Sequence, residues 1–488
     1  MFRETETSRV NQIIQRGRMT ELEFFALEIN GWKKSETRKM QILGDRYYEG
    51  KHDILDRKRT VIGESGRLEE VHNLPNNKKV DNQYAKMVDQ KVNYLVGKPF
   101  TIDSDDKGYA DLLKGVFNNQ FRKTLKYICE DSLNGAVGWL FICYDEKGEL
   151  AFRRFPAYEI LPFWKDDSRT ALDCAVRLYL QEVWEGLSKK TVERVEIFKA
   201  DGIYRYVLDG FNLVPDSELG VHSPYITVAD GGESTAYNWD RIPMIAWRYN
   251  KKEIPLIQRT KSLQDGINTM LSDFENNMQE DARNTILVIE NYDGENLGEF
   301  RRNLAAYGAV KVRSDGSTRG GVNTLTVEVN AGNYKSILEV FKRALIENAR
   351  GYDATDLRSS GAPNQMNIKS IFNDIDLDAN GMETEFQAAF EELIWFINQV
   401  FATKNHGDFA NSDVSIVFNR DGIVSESEVI TDVRNSVGIL SEETLVAQHP
   451  YVSNVDDELA RIKKERQESA VGDYANGFNP SVPSGEGE

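Results

Sequence analysis

A chain of 488 residues is too long for one ordinary hydrophobic core, and its 40% hydrophobic and 28% charged residues have the balance of a folded protein rather than a disordered one. The formal net charge of −18 argues against a protein built to grip nucleic acid, because that affinity comes from clustered Lys and Arg that neutralise phosphates. It leaves room for a surface past which a polyanion slides.

The opening MFRETETSRV lacks the basic-then-apolar order of a signal peptide, and polar residues interrupt every apolar run short of a membrane span, so a cytosolic chain with no membrane partner is expected. Cys129, Cys143 and Cys174 are odd in number and have no CxxC spacing, which points to buried reduced thiols. Residues 1–55 read as helical around Phe24, Phe25, Leu27, Ile29 and Trp32, then Met40, Ile42, Leu43, Tyr47 and Tyr48, with Gly50 as the stop. Residues 56–77 are polar and turn-rich and read as a surface excursion. Asp81 or Asn82 is placed to cap a helix whose apolar face is Tyr84, Val88, Val92 and Leu95, ended by Gly97 and Pro99. One further helix is predicted over 109–135. The period then changes: AVGWLFICYD, GELAFRRF, YEILPFW, ALDCAVRLYL, TVERVEIFKA and GIYRYVLDG read as short strands of a small sandwich or barrel that ends near residues 242–247.

Pro255 suits a first helical turn, and Leu263, Ile267, Met270, Leu271, Phe274 and Met278 then form an apolar stripe. Arg259, Lys261, Asp265, Asp273, Glu275, Glu280 and Asp281 fall on the other faces, which are assigned to water. A helix over 255–282 would span about 42 Å. An insert follows, read as a strand (285–293), a short helix (295–307) and strands at 309–313 and 323–329. Tyr334, Ile337, Leu338, Phe341 and Leu345 then repeat the stripe, with Lys335, Lys342, Arg343 and Arg350 outside it. Two rods flanking a small β unit predict a stalk with a tip. Residues 352–367 are aperiodic, and a loop of that length between helices is more often functional than ornamental. A long helix from Ile368 to Phe401 and a strand in DVSIVFNR follow. Ser425 and Glu428 form a capping box for a helix closed by Gly438, and two short helical stretches reach Glu468. Residues 471–488 are predicted to be disordered.

Catalytic and metal motifs fail on inspection. GDRYYEGKH has five residues between Gly44 and Gly50 and places His52 where a phosphate loop needs Ser or Thr. VGKPF puts Gly97 at a helix end, not a helix start. DLDANGMETEFQ orders Asp376, Asp378, Asn380 and Gly381 like a calcium loop, but Gln387 stands at its twelfth position and Glu383 at its eighth, while the helical stripe runs on through Ala379, Met382 and Phe386. There is no GxSxG or HExxH, and His52, His72, His222, His406 and His449 are scattered. No catalytic, cofactor or metal residue is assigned, and the chain is expected not to be an enzyme.

The order of parts, with NKKVDNQYAKMVDQKVNYLVGKPF (77–100), NKKEIPLIQRTKSLQDGINTMLSDFENNMQEDARNTILVIENYDG (250–294), SSGAPNQMNIKSIF (359–372) and SESEVITDVRNSVGILSEETL (425–445), resembles the portal proteins of tailed bacteriophages, the SPP1-like group. The resemblance covers roughly residues 35–470. It implies an α+β portal-type subunit with long stem helices, a β-rich wing, a small α/β clip and a helical crown, assembling into a ring of twelve at one capsid vertex of the virion, built in the bacterial host cytoplasm. It assigns 1–254 and 368–423 to the wing, 255–282 and 333–350 to the stem, 283–332 to the clip, 351–367 to a tunnel loop and 424–470 to the crown. Arg358, Ser359, Ser360, Asn364 and Gln365 would face double-stranded DNA passing along the axis. Lys335, Lys342 and Arg343 would be weak channel cations, with pairing to stem acids such as Asp273 as the bland alternative. Leu263, Ile267, Leu271, Phe274, Ile337, Leu338, Phe341 and Leu345 would pack the stem, their stripes finding partners in identical copies because one pair of rods cannot bury both. The implied partners are the terminase large subunit, a head-completion or adaptor protein, and the major capsid and scaffolding proteins. The competing readings are a scaffold or adaptor ring without DNA passage, and a metal-dependent nuclease built on the abundant carboxylates.

Overall fold

The structure is a computed structural model that describes residues 17, 19–62, 66–72, 74–230, 233–281, 286–290, 313, 321–325, 331–353, 365–420, 426–452, 455 and 458–466. It comprises two units. The first is Met1–Tyr352 with Asp374–Asp421, and the second is Asp353–Asn373 with Gly422–Glu488.

In the first unit, α1 (Glu21–Lys33) opens with a capping box between Thr20 and Glu23, and Ser35 caps α2 (Glu36–Tyr48). The polar excursion contains a small hairpin, β1 (Thr60–Ile62) paired with β2 (Leu68–Glu70). Asn82 caps α3 (Gln83–Val96) by accepting from the Ala85 N–H, and Gly97 ends it. After β3 (Thr101–Asp103), the helix expected over 109–135 is two. Asn118 accepts from the N–H groups of Gln120 and Phe121, which ends α4 (Lys107–Val116) and starts α5 (Asn119–Gly135).

Two sheets follow. The small one orders β14 (Met244–Arg248), β4 (Val137–Tyr144) and β5 (Leu150–Phe155). The large one is an antiparallel meander of β6 (Ile160–Trp164), β7 (Leu172–Glu185), β8 (Ser188–Lys199), β9 (Gly202–Asp209) and β10 (Asn212–Pro215), with β11 (His222–Ser223) also on β9. A separate hairpin pairs β12 (Ile226–Asp230) with β13 (Glu233–Tyr237). Alternation along β7 sends Ala175 into a core shared with Phe141, Phe155 and Met244 of the small sheet, while Cys174, Val176 and Leu178 face Phe24, Phe25 and Ile29 of α1. The meander is therefore covered on both faces, which explains its near-continuous apolar runs. The arrangement is two packed sheets, and the barrel alternative is excluded.

The helix expected over 255–282 is α6 (Ile257–Asp281), which starts two residues later than expected, and residue 282 lies outside the described residues. Of the insert, only the pairing of β15 (Ile286–Glu290) with β16 (Gly321–Leu325) is described. The helix at 295–307 lies outside the described residues, as does the strand at 309–313 except Arg313, which is not in a strand. The chain continues through α7 (Ala331–Ala349) and α8 (Gln365–Thr403), the latter beginning three residues before Ile368. From Asp374 onward, α8 forms a third core with α4 and α5, in which Phe390 packs edge-on against Phe100, Phe117 and Trp247. Strand β17 (Ser415–Val417) pairs with β3.

In the second unit, α9 (Glu426–Asn435), α10 (Glu442–Gln448) and a helical stretch at 458–466 line a groove with Val433, Leu440, Leu445 and Ile462. The expected cap residue Ser425 lies outside the described residues, as do 471–488.

Candidate functional site: a helix pair and the strand it holds

Helix α6 divides its surface between two neighbours. One face meets α7, where Ile267 and Leu345 are completely buried and the rings of Phe274 and Tyr334 lie 5.1 Å apart. Asn277 Nδ2 donates to the Tyr334 hydroxyl at 2.9 Å. Gly266 lets the helices approach, since a Cβ there would sit 2.9 Å from Cε2 of Phe341.

The second face is polar and equally buried. Thr260, Gln264, Asn268, Ser272 and Asn276 recur every four residues, and all are at 0% exposure. Four of them hold an extended segment running antiparallel to the helix. Asn276 Oδ1 accepts from the Asn77 N–H at 2.7 Å, Ser272 Oγ from Lys79 at 2.9 Å, Asn268 Oδ1 from Asp81 at 3.0 Å, and Gln264 Oε1 from Tyr84 at 2.9 Å. Gln264 Nε2 donates back to the Asp81 carbonyl at 2.7 Å. The match is one of pitch. Four helical residues rise about 6 Å and two extended residues rise about 6.6 Å, so from Asn77 to Asp81 every second N–H meets the next rung. The helix side chains thus stand in for a neighbouring β-strand.

His52 completes the ladder from α2's side. Because Asn268 Oδ1 accepts from the main chain, its Nδ2 must donate to His52 Nδ1, 2.7 Å away. His52 Nε2 then carries the hydrogen and donates to the Tyr47 carbonyl at 3.0 Å, with the imidazole stacked on the Tyr47 ring. Both ring nitrogens are committed to the neutral form, and burial lowers the pKa of the group. Around the ladder, Arg57 pairs with Asp273 at 2.5 Å, Lys79 with Glu275 at 3.1 Å, and Lys261 bridges Asp53 and Asp265. Lys261, Asp265, Asp273 and Glu275 of the charged face assigned to water therefore meet residues 47–79 instead, each about one-third exposed. The apolar period explains why this was missed. A stripe search finds Leu263, Ile267 and Phe274, yet the uncharged amides and hydroxyls at strict four-residue spacing were an equally regular signal.

Of the residues proposed to pack the stem, Ile267 and Leu345 are buried and Leu263, Leu271, Phe274, Leu338 and Phe341 half-buried. The two rods thus pack on each other within one chain, which corrects the expectation that both stripes wait for other copies. What remains open is a row on α7, where Ile337 is 43% and Val340 62% exposed, together with Met278 of α6. Lys335 lies 3.9 Å from Glu339, Arg343 is exposed, and Lys342 pairs at 2.6 Å with Asp81, while Asp273 is taken by Arg57. Arg358, Ser359, Ser360 and Asn364 lie outside the described residues, and Gln365 is the first residue of α8.

The rejected calcium-loop residues lie on continuous helix. Arg420 reaches Asp376, Asn380 and Glu383, and Lys91 reaches Asp378, so the carboxylates are held by cations of the chain itself. Among the described residues no group of His, Cys, Asp and Glu is disposed to hold a metal ion, and no helix is long and apolar enough to cross a membrane.

Residues 33–472 match a family model described as phage portal protein, SPP1 Gp6-like. The portal protein of Bacillus phage SPP1 is 28% identical over 432 residues, covering 88% of this chain and 84% of that protein. The portal protein of Clostridium phage phiCD119 is 26% identical over 456 residues, covering 90% of this chain and 96% of that protein. With the match spanning nearly the whole sequence, the chain belongs to the SPP1 Gp6-like family of phage portal proteins.

Proposed function

We propose that this chain is one copy of a ring at a single capsid vertex, through which double-stranded DNA passes during packaging and ejection. In this reading α6 and α7 are the stem, the segment 283–332 is the clip that meets the terminase motor and later the head-completion protein, 351–367 is the loop towards DNA, and 424–470 is the crown. The major capsid and scaffolding proteins would be further partners. The observation that carries the ring is the open row of Ile337, Val340 and Met278 on a helix pair whose Ile267 and Leu345 are already buried within the chain. A row of this kind fits a head-to-tail neighbour, and a repeated head-to-tail contact gives a ring when its rotation closes. The net charge of −18 per copy supports passage over retention, since an acidic wall shortens the residence of a polyanion. The chain would be structural and not catalytic, with packaging energy supplied by a separate ATPase. Native mass measurement and electron-microscopy class averages of the purified protein test this. Rings with an axial hole wide enough for a DNA duplex are expected, and a monomer at every concentration would overturn it.

A further inference from the structure

The segment 353–373 is entered from Tyr352 and left at Asp374, and both of its flanks are tied to α3. On the entering side, Arg350 takes the left-handed conformation (φ 53°), uncommon for a residue with a side chain, and its carbonyl accepts from Lys91 Nζ at 3.2 Å. Gly351 lies against the same helix, where a Cβ would come within 2.5 Å of Met87 Sδ and 3.1 Å of Gln90 Oε1. Gln90 then grips the next residue from both sides, donating from Nε2 to the Tyr352 carbonyl at 3.1 Å and accepting its N–H on Oε1 at 3.5 Å. On the returning side, Lys91 Nζ donates to Asp378 Oδ2 at 2.7 Å and the Tyr94 hydroxyl to Asp376 at 3.0 Å. Lys91 is 4% exposed, so one buried ammonium joins the departing main chain to the returning helix.

We propose that Lys91 and Gln90 are positioning residues, which fix both bases of the 353–373 segment to α3. The segment's role at DNA rests on the function proposed above; the clamp does not. A buried lysine is an effective tie because removing either partner strands the other away from water. Asp378 also receives the Tyr249 hydroxyl at 2.7 Å and lies 3.5 Å from Arg350 and 3.9 Å from Arg259, so the returning helix is held at a node of four side chains. Since α3 begins directly after the segment laddered to α6, force on either base passes through Lys91 to α3 and from there to α6. This route requires no contact by residues 353–373 themselves.

The test is hydrogen exchange by mass spectrometry on the full-length, assembled protein. Lys91→Met should speed exchange in peptides covering 351–353 and 374–380 by about tenfold, the equivalent of one net hydrogen bond, with β7–β9 unchanged. Gln90→Ala, which removes only bonds to Tyr352, should do so at 351–353 alone, and it decides the matter should Lys91→Met not assemble. Unchanged exchange at the bases, or a rise spread evenly over the chain, overturns the clamp. DNA packaging into empty heads by the same variants separates the two readings. Loosened bases with normal packaging leave the clamp standing and sink the role of the segment at DNA.

Discussion

The ladder on α6 makes a graded prediction that starts from Asn268→Leu. The substitution keeps the branched heavy-atom shape of a fully buried side chain and deletes its hydrogen bonds to the Asp81 N–H, Gln264 Nε2 and His52 Nδ1. Gln264 keeps its bond to the Asp81 carbonyl, so the stranded groups are the Asp81 N–H and His52 Nδ1. Each buried group left unpaired costs about 1–3 kcal/mol, and burying leucine in place of the amide returns about 1.5 kcal/mol. A net cost near 3 kcal/mol is expected, roughly a hundredfold in an opening equilibrium. Hydrogen exchange of peptides covering residues 76–84 reads that factor directly. Ser272→Ala removes one acceptor, for the Lys79 N–H, and should cost about 1 kcal/mol, or roughly fivefold. Thr260→Val should leave these peptides unchanged, because the bond of the Thr260 hydroxyl is local, to the carbonyl of Leu256 just before the helix. Equal protection in Asn268→Leu and the parent protein, or equal damage from Thr260→Val, would show that something other than the ladder holds the segment.

Three further outcomes follow from single sites. Burial pushes the Glu392 carboxyl up to about 7, partly offset by Arg248 and Arg241. The folded protein thus holds a proton that the unfolded chain has released, and stability is lost as pH rises from about 4 to 7, by up to about 3 kcal/mol. Glu392→Gln should accordingly raise Tm more at pH 8.5 than at pH 5, and an equal rise at both would refute the burial argument. His52 has the opposite sign. Its folded pKa is lowered by burial although the Asp265 and Asp53 carboxylates pull the other way, so the unfolded chain takes up the proton first and stability falls as pH drops below about 6.5. His52→Gln, which cannot protonate there, should flatten the decline in Tm between pH 7 and pH 5. Gly266→Ala gains about 1 kcal/mol in helix propensity but meets Phe341, where overpacking costs about 1–3 kcal/mol. A lowered Tm that Phe341→Leu restores is expected, and a raised Tm in the single variant would refute the close approach.

Periodicity in the sequence located the long helices and most strands of the meander, because each buries a face that repeats at 3.6 or 2 residues. It failed where a local side chain outcompeted the period. Asn118 breaks an apolar stripe that continues on both sides, and only its cap bonds reveal the break. Strands β10 to β13 lack a strong apolar alternation, and Val214, Val228 and Tyr237 in them are exposed, so they left no signal of burial to read. Lys342 and Asp273 sit on adjacent helices, and charge alone suggested a pair. Each instead takes a partner from residues 57–81, which neither spacing nor composition places beside them. Lys91 was equally hidden, a lysine on the apolar face of α3 whose counterion comes from a helix 287 residues later.

The polar face of α6 bears on the proposed stem through register. An apolar groove would bury a strand at many positions along the helix, with little to distinguish one offset from the next. The ladder excludes odd offsets, since a shift by a single residue points the N–H of Lys79 and Asp81 away from Ser272 and Asn268 and leaves them unpaired next to buried acceptors, and an even shift, which would meet the next rung, breaks the ion pairs of the observed offset. The ion pairs at Arg57, Lys79 and Lys342 flank the same segment and enforce the same offset. A helix held in this way resists sliding along its own axis, the direction in which a passing duplex would drag a stem helix. In the proposed ring the open row of Ile337 and Val340 would need only to secure neighbours against one another, so axial load and ring closure would fall on different faces of the pair.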